Sequence, residues 1–146
     1  MPKILAINTS TGKGVPKEEV PEAVLRENHG LEGDAHAGPG KRQLSLLGNE
    51  SIDKIRDKIP GGLCFGRFAE NITTEGLVLY ELPLGTKLRL GEAEIEITQI
   101  GKECHHGCEI QRLSGDCVMP REGVFGMVTK GGRIAKGDEI EVCSNY

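Results

Sequence analysis

The segment GKECHHGCEI, residues 101–110, brings four chemically capable side chains into five neighbouring positions. These side chains belong to Cys104, His105, His106 and Cys108. Thiolate and imidazole groups both bind borderline metal ions, and a thiolate is also a nucleophile. The residue types therefore fit three kinds of site: a metal centre, a reactive thiol with histidine helpers, or half of a disulfide scaffold.

A disulfide scaffold is the least favoured of these three. The chain holds five cysteines, an odd number that cannot all pair. The N-terminal sequence MPKILAINTS lacks the long apolar core of a signal peptide, so we expect a cytoplasmic protein. A reducing compartment disfavours disulfides. The longest apolar runs are only a few residues, which predicts that no segment crosses a membrane.

A structural zinc site is compatible with part of the cysteine pattern. Cys104 and Cys108, with three residues between them, form one acceptable half of such a site, and Cys117 is a candidate third ligand. No matched second half is present, because Cys64 and Cys143 each stand alone. A zinc-stabilised β protein therefore stays open as one alternative. Buried, inert thiols at positions 108, 117 and 143 are another.

Cys104 has the local composition of a functional thiol. It follows Lys102 and precedes His105 and His106, at the exit of a predicted strand. Nearby cations stabilise a thiolate, which acts as a nucleophile and as a soft metal ligand. The segment therefore favours a working cysteine at this position.

A second group of candidates lies in GLEGDAHAG and the following KRQ: Asp34, His36, Arg42 and Gln43. A glycine-flanked Asp-x-His sequence can bind a metal or orient a base. It is equally typical of a turn whose aspartate caps backbone N–H groups. Arg42, beside a glycine-rich loop, suits a bidentate phosphate or carboxylate contact or a solvated surface charge. Asn71, in GRFAENITTEGL, is either a ligand-binding amide or a turn former.

These candidates must be positioned by short strands. Apolar or alternating runs bounded by turn residues predict β structure along most of the chain, and Ile52, Ile55 and Ile59 predict one helix. We predict no regular structure over 29–40, and two hairpins with turns at 91–92 and 130–132. The other predicted elements are strands at 3–8, 42–47, 87–90, 93–97, 124–129, 133–134 and 139–143, an extended segment at 18–28, and the helix near 50–59.

The composition agrees with a mostly β fold in a single domain of 146 residues. The chain has 21 glycines, no tryptophan, three phenylalanines and two tyrosines, as expected for many tight turns and an aliphatic core. Its net charge of −4 argues against a broad basic surface for nucleic acid. Frequent turns between short strands suggest a barrel or sandwich.

The motifs occur in an order that resembles the MOSC family, named from the C-terminal part of molybdenum cofactor sulfurase. That order is KILAIN, GLEGDAHAG-x3-RQLSLL, AENITTEGL, LPLGTKLRLGEAEIEITQIGKEC and REGVFGMV-x2-GGRIAKGDEI. The resemblance covers nearly the whole chain, so we expect one MOSC domain over residues 1–146. It implies a mostly β, MOSC-type barrel with few short helices.

The resemblance also implies a function for the candidate residues. The family cysteine, which matches Cys104, is proposed to bind or carry sulfur to the molybdenum–pterin cofactor, and segments matching Asp34, His36, Arg42, Gln43 and Asn71 lie near its pocket. On this interpretation Cys104 is the molybdenum ligand or sulfur carrier, helped by His105 or His106. Cys108 is a weaker metal candidate. The cofactor phosphate is expected to bind Arg42, Arg67 or Lys102.

Partners and rival functions follow from the same resemblance. We expect contact with the molybdenum cofactor or its precursor, and with molybdopterin-biosynthesis proteins or a persulfide sulfur donor, as a monomer or an oligomer. Any enzymatic activity would be sulfurtransferase-like or molybdenum-dependent. The chain has no room for the pyridoxal-phosphate domain of larger relatives, so we expect no pyridoxal phosphate. A non-catalytic accessory module, a zinc-stabilised β protein and an oxidoreductase acting on N-hydroxylated compounds are the alternatives.

Overall fold

A computed structural model describes residues 2–9, 18–34, 37–38, 40, 43–53, 70–100 and 123–143. These residues form a large and a small β-sheet, one helical turn and a short 3-10 helix. The strands are β1 (Lys3–Thr9), β2 (Glu18–Val20), β3 (Glu22–Arg26), β4 (Gly30–Leu31), β5 (Leu44–Gly48), β6 (Ile72–Glu75), β7 (Lys87–Leu90), β8 (Ala93–Ile100), β9 (Val124–Lys130), β10 (Gly132–Ala135) and β11 (Ile140–Val142). Helix α1 spans Asn49–Asp53, and the 3-10 helix spans Leu79–Glu81.

The large sheet has eight strands in the order β11-β7-β8-β9-β5-β6-β1-β2. Its pairings are antiparallel except for β5 and β6, which run parallel. Strand β6 therefore lies between β5 and β1, which are far from it in sequence. This insertion brings the starts of β5 and β6 together with the end of β1.

The hydrophobic core lies on one face of the large sheet. Leu88 and Leu90 of β7 pack with Ile95 and Ile97 of β8, at alternate positions of each strand. This period of two is what the pleat of a strand requires of a half-buried sheet. The small sheet contributes Leu25, Leu31 and Ile134 to the same core, so the two sheets share one apolar interior.

The small sheet has the order β10-β3-β4 and attaches to the turn between β7 and β8. The Glu92 N–H donates to the Arg133 carbonyl at 3.1 Å, and the Arg133 N–H donates to the Glu92 carboxylate at 3.3 Å. The backbone of Gly132 lies so close to Glu92 that a Cβ would collide with it. On the surface, a hydrogen bond and ion pair with Glu22 raise the pKa of the Arg133 guanidinium above its ordinary value.

The structure confirms the mostly β prediction and most of the predicted strands. The hairpin at 91–92 is present, because β7 and β8 pair across that turn. The hairpin at 130–132 is wrong, since β9 pairs with β8 and β5 whereas β10 pairs with β3 in the other sheet. Residues 29–40 were expected to lack regular structure, but they include the two-residue strand β4. The predicted helix begins at Asn49, and residues 54–59 lie outside the described part.

The predicted MOSC-type barrel is not confirmed. Within the described residues the large sheet has two ends, β11 and β2, that do not pair with each other. An isolated antiparallel bridge joins Lys3 to Glu139, and the Ile4 N–H donates to the Asp138 carbonyl at 2.8 Å. The start of β1 thus approaches the chain that leads into β11. In the same described residues, no helix has the length and apolar character needed to cross a membrane.

Candidate functional site

Three of the predicted site residues belong to the described part of the chain: Asp34, Gln43 and Asn71. All three are buried. The other predicted residues lie outside the described part, and their roles stay predictions. They are His36, Arg42, Arg67, Lys102, Cys104, His105, His106 and Cys108.

Strand register places the three described residues at one end of the large sheet. A row of paired residues crosses five neighbouring strands, and it consists of Ile100, Val124, Leu46, Ile72 and Ile7. Strands β5 and β6 begin at the same end of the sheet, which we call the leading end. Gln43 directly precedes β5 there, and Asn71 directly precedes β6. Thr9, at the end of β1, bonds to Asp34 there.

Strand β8, which precedes the segment with Cys104, runs in the same direction as β5 and β6. It is antiparallel to β9, which is antiparallel to β5, so β8 points toward the end at which β5 and β6 finish. It ends at Ile100, and residues 101–122 lie outside the described part. A pocket that joins Cys104 to the leading end therefore stays a prediction.

Asn71 uses its side-chain amide to extend the sheet before β6 begins. Its Oδ1 accepts from the Ser45 N–H at 3.0 Å and from the Ser45 hydroxyl at 3.1 Å. Its Nδ2 donates to the Asn8 carbonyl at 3.3 Å, and its backbone carbonyl accepts from the Asn8 N–H at 2.7 Å. The residue is only 2% exposed. The amide therefore links β1 to β5 within the protein.

A buried polar cluster beside Asn71 was not predicted from the sequence. The Asn8 Nδ2 donates to the Glu70 carbonyl and to the Thr73 Oγ1, both at 3.2 Å, and the Thr73 hydroxyl donates to the Glu70 carboxylate at 2.7 Å. Asn8, Ser45 and Thr73 alternate with core residues along their strands, so they project from the face opposite the core. The one available signal was an asparagine in the otherwise apolar strand KILAIN.

Gln43 joins three separate parts of the chain. Its Nε2 donates to the Asn28 Oδ1 at 2.9 Å and to the Gly40 carbonyl at 3.0 Å. Its Oε1 accepts from the Val128 N–H of β9 at 3.0 Å. The side chain is 1% exposed, so these contacts are shielded from water. Both N–H groups of the amide are used within the protein.

Asp34 lies in a turn that follows β4. Its carboxylate accepts from the Thr9 hydroxyl at 3.2 Å, which ties this loop to the end of β1. Its N–H donates to the Leu31 carbonyl, and its own carbonyl accepts from the Ala37 N–H, each at 3.1 Å. The backbone bonds form a turn at Asp34, and the capping of N–H groups by its carboxylate stays a prediction. These bonds also hold Asp34 at the same end of the sheet as Asn71 and Gln43.

A surface depression of about 450 Å³ lies away from these residues. It is lined by Arg89, Lys130 and the residues of the two glycine-containing turns at 91–94 and 131–132. Two carboxylates, Glu92 and Glu94, balance its two cations. None of the predicted site residues lines it.

Among the described residues, no three histidine, cysteine, aspartate or glutamate side chains come together as metal ligands. The free cysteine described there is Cys143, which follows β11. Because the segment with Cys104 and Cys108 lies outside this part, the zinc and molybdenum predictions at these thiols are untested.

The family of this chain follows from its match to a family model. The family model described as "MOSC domain" matches residues 32–141, about three quarters of the chain. The chain belongs to the MOSC domain family. The match includes the GDAH loop, the AENITT segment and the segment with Cys104, so all predicted site residues of this MOSC domain fall inside it.

Solved structures agree with this MOSC fold. The YUAD protein from Bacillus subtilis is 19% identical, with a TM-score of 0.80, and the match covers 97% of this chain and 96% of that chain. YiiM from Geobacillus stearothermophilus is 18% identical, with a TM-score of 0.75, covering 99% of this chain and 76% of the other. YiiM from Escherichia coli is 22% identical, with a TM-score of 0.71, covering 99% and 70%. No curated protein matches the chain.

The described part of the MOSC domain supplies a rigid polar frame. Asn71, Gln43 and Asp34 are held by hydrogen bonds that cross β1, β5 and β9. Buried polar groups with satisfied partners stiffen their surroundings and fix a single arrangement. The leading end is thus held together by hydrogen bonds within the protein.

Proposed function

We propose that this MOSC domain binds the molybdenum cofactor and carries sulfur on Cys104. The observation that carries the proposal is the family match over residues 32–141, which contains the thiol and the basic side chains needed for this task. The gathering of Asp34, Gln43 and Asn71 at the leading end supports it. These residues come from two separate motifs of the sequence, GLEGDAHAG-x3-RQLSLL and AENITTEGL.

The chain offers suitable groups for each part of the cofactor. Arg42, Arg67 and Lys102 would bind its phosphate through charge-assisted hydrogen bonds. Cys104 would approach the metal, because a thiolate is a soft ligand. When bound, the cofactor supplies a molybdenum centre held by pterin sulfur atoms. The hydrogen-bonded turn at Asp34 gives the loop before Arg42 a fixed starting position.

Sulfur transfer to Cys104 needs no external oxidant. The Cys104 thiolate attacks the outer sulfur of a donor persulfide and forms a new S–S bond. The donor S–S bond breaks, and the donor leaves as a thiolate. Cys104 then carries a persulfide whose outer sulfur is available to the acceptor. His105 or His106 would stabilise the thiolate or hold the proton released from the thiol.

Cofactor binding without sulfur transfer is the second candidate function. It rests on the same family match and assigns no chemistry to Cys104, while the Asn71 and Gln43 amides make contacts within the protein. A zinc-stabilised Cys104 cluster and an oxidoreductase role remain alternatives. Metal analysis of the purified chain tests the first of these, and assays with N-hydroxylated substrates and added cofactor test the second.

The Cys104→Ser variant tests the sulfur-carrier role. We expect it to lose persulfide formation after incubation with a persulfide donor, measured as a mass increase of one sulfur atom, because serine forms no persulfide. The matched control is Cys143→Ser, since Cys143 is a partly buried thiol beyond β11. This control should gain the same sulfur mass as the wild type.

Two results separate the candidate functions. A wild-type chain that holds cofactor but accepts no sulfur supports the binding module and overturns the carrier role. A Cys104→Ser variant that still gains sulfur, while Cys143→Ser does not, assigns the chemistry to a different thiol.

A further inference from the structure

The side chain of Gln43 bonds to residues on both sides of β4 and the turn at Asp34, which together we call the Asp34 loop. Asn28 precedes this loop and Gly40 lies near its end, and the Gln43 Nε2 donates to both at 2.9 and 3.0 Å. The Gln43 Oε1 accepts from the Val128 N–H at 3.0 Å, which anchors Asn28 and Gly40 to β9 through Gln43. One amide therefore connects the loop at two points to the large sheet.

The backbone around Asn28 is shaped for this contact. Asn28 has a positive φ of 54°, a conformation that asparagine tolerates better than most residues. Its N–H donates to the Val128 carbonyl at 3.0 Å. Gly30, with φ of 121°, lies against the Gln43 carbonyl so closely that a Cβ would collide with it. Asn28 therefore contacts Gln43 through its side chain, and Gly30 lies against Gln43 through its backbone.

These contacts leave Gln43 no free donor for a ligand. A primary amide has two N–H groups, and both are bonded to protein oxygens. Its oxygen already accepts one bond, and the side chain is 1% exposed. A direct hydrogen bond to a cofactor would require one of the contacts to break. Gln43 is thus poorly suited to the ligand role that its position in the sequence predicts.

We infer that Gln43 is a positioning residue, which acts on a phosphate-bearing pterin cofactor through Asn28 and the Asp34 loop without touching it. This inference rests on the proposed function for the identity of the ligand. The anchoring of the loop stands on the contacts of Gln43 alone. Outer residues that orient a metal or cofactor site typically change affinity about 10- to 100-fold when they are replaced.

Two variants of the full chain test the inference. Gln43→Met keeps the side-chain volume and removes the three hydrogen bonds. Asn28→Gly keeps the positive φ and the Val128 contact but removes the Oδ1 acceptor. Cofactor affinity is measured by anaerobic titration with isolated molybdenum cofactor. Loop opening is measured by hydrogen exchange at the Gly38 N–H, which donates to the His29 carbonyl at 2.7 Å.

Both variants are expected to weaken cofactor binding, Gln43→Met by about 10- to 100-fold and Asn28→Gly in the same direction. Both should also speed Gly38 exchange, on the order of tenfold for Gln43→Met, because local opening then breaks fewer hydrogen bonds. The internal control is the Gly85 N–H, which bonds to Ile97 in a distant turn and should exchange at the wild-type rate.

Other outcomes overturn the inference. Loss of affinity in Gln43→Met while Gly38 exchanges at the wild-type rate would mean that Gln43 touches the cofactor directly. Unchanged affinity in Asn28→Gly would overturn the role given to Asn28. Unchanged Gly38 exchange in both variants would mean that the loop is held by other contacts. If the wild-type chain binds no cofactor, the proposed function fails. In that case the exchange rates alone support or overturn the anchoring of the loop.

Discussion

Asn71 and Gln43 carry the same amide group, and in both residues that group is used within the protein. Asn71 supplies one acceptor to Ser45 and one donor to Asn8, in the manner of an extra strand residue. Gln43 supplies two donors and one acceptor to three segments. Sequence motifs identified both residues as special. Motifs alone could not separate ligand contact from structural bonding, because an amide serves either purpose.

The Asn71→Ala variant tests the structural role of this amide. Truncation leaves the Ser45 N–H and the Asn8 carbonyl without their partner in a buried position, so we expect a loss of about 2–4 kcal/mol in the free energy of unfolding. Ser45→Ala is the comparison. It removes the hydroxyl that donates to the Asn71 Oδ1 and accepts from the Asn71 N–H, but this N–H keeps its bond to the Ser45 carbonyl, so the loss should be smaller. Urea unfolding measures both. A loss of less than about 1 kcal/mol in unfolding free energy for Asn71→Ala would contradict the structural role and favour a ligand-binding role for the amide.

At the scale of elements, β6 shows how adjacent residues of one strand project from opposite faces of the sheet. Thr73 projects into the polar cluster, where its hydroxyl bonds to Glu70 and Asn8. Thr74 projects toward the core side, and its fully buried Oγ1 has no hydrogen-bond partner among the described residues. A buried hydroxyl without a partner destabilises the folded state relative to a methyl group of the same shape.

Replacing the two threonines by valine should therefore have opposite effects. Thr74→Val keeps the β-branched shape and removes the unpaired hydroxyl, so we expect a gain of about 1 kcal/mol in unfolding free energy. Thr73→Val breaks two buried hydrogen bonds and should lose about 1–3 kcal/mol. Chemical denaturation with both variants in parallel checks the contrast. Equal losses for the two would show that Thr74 Oγ1 has a partner.

Local elements were predictable because their signals are local. Alternating residues and the Gly91-Glu92 turn predict the pairing of β7 with β8, and the structure contains it. The turn at 130–132 has the same glycine signal, but β10 pairs with β3 and packs against Glu92. That pairing depends on residues about 110 positions apart, which no local pattern records.

At the scale of the whole molecule, the order of the strands in the large sheet differs from their order along the chain. The insertion of β6 between β5 and β1 collects Asp34, Gln43 and Asn71 at the leading end, although they come from separate motifs. The family resemblance predicted that these segments share a pocket. It could not predict the hydrogen bonds that hold them, because those depend on strand register. The positions of Cys104 and the basic candidates stay predictions.

Cofactor binding by the intact chain is the central claim, and native mass spectrometry tests it most directly. The protein should be purified without oxygen from cells that synthesise molybdenum cofactor. We expect the folded chain to retain the mass of one molybdenum–pterin cofactor, and the same spectrum reports the number of subunits. A chain that carries no pterin, or that holds one zinc ion per subunit in its place, would contradict the account.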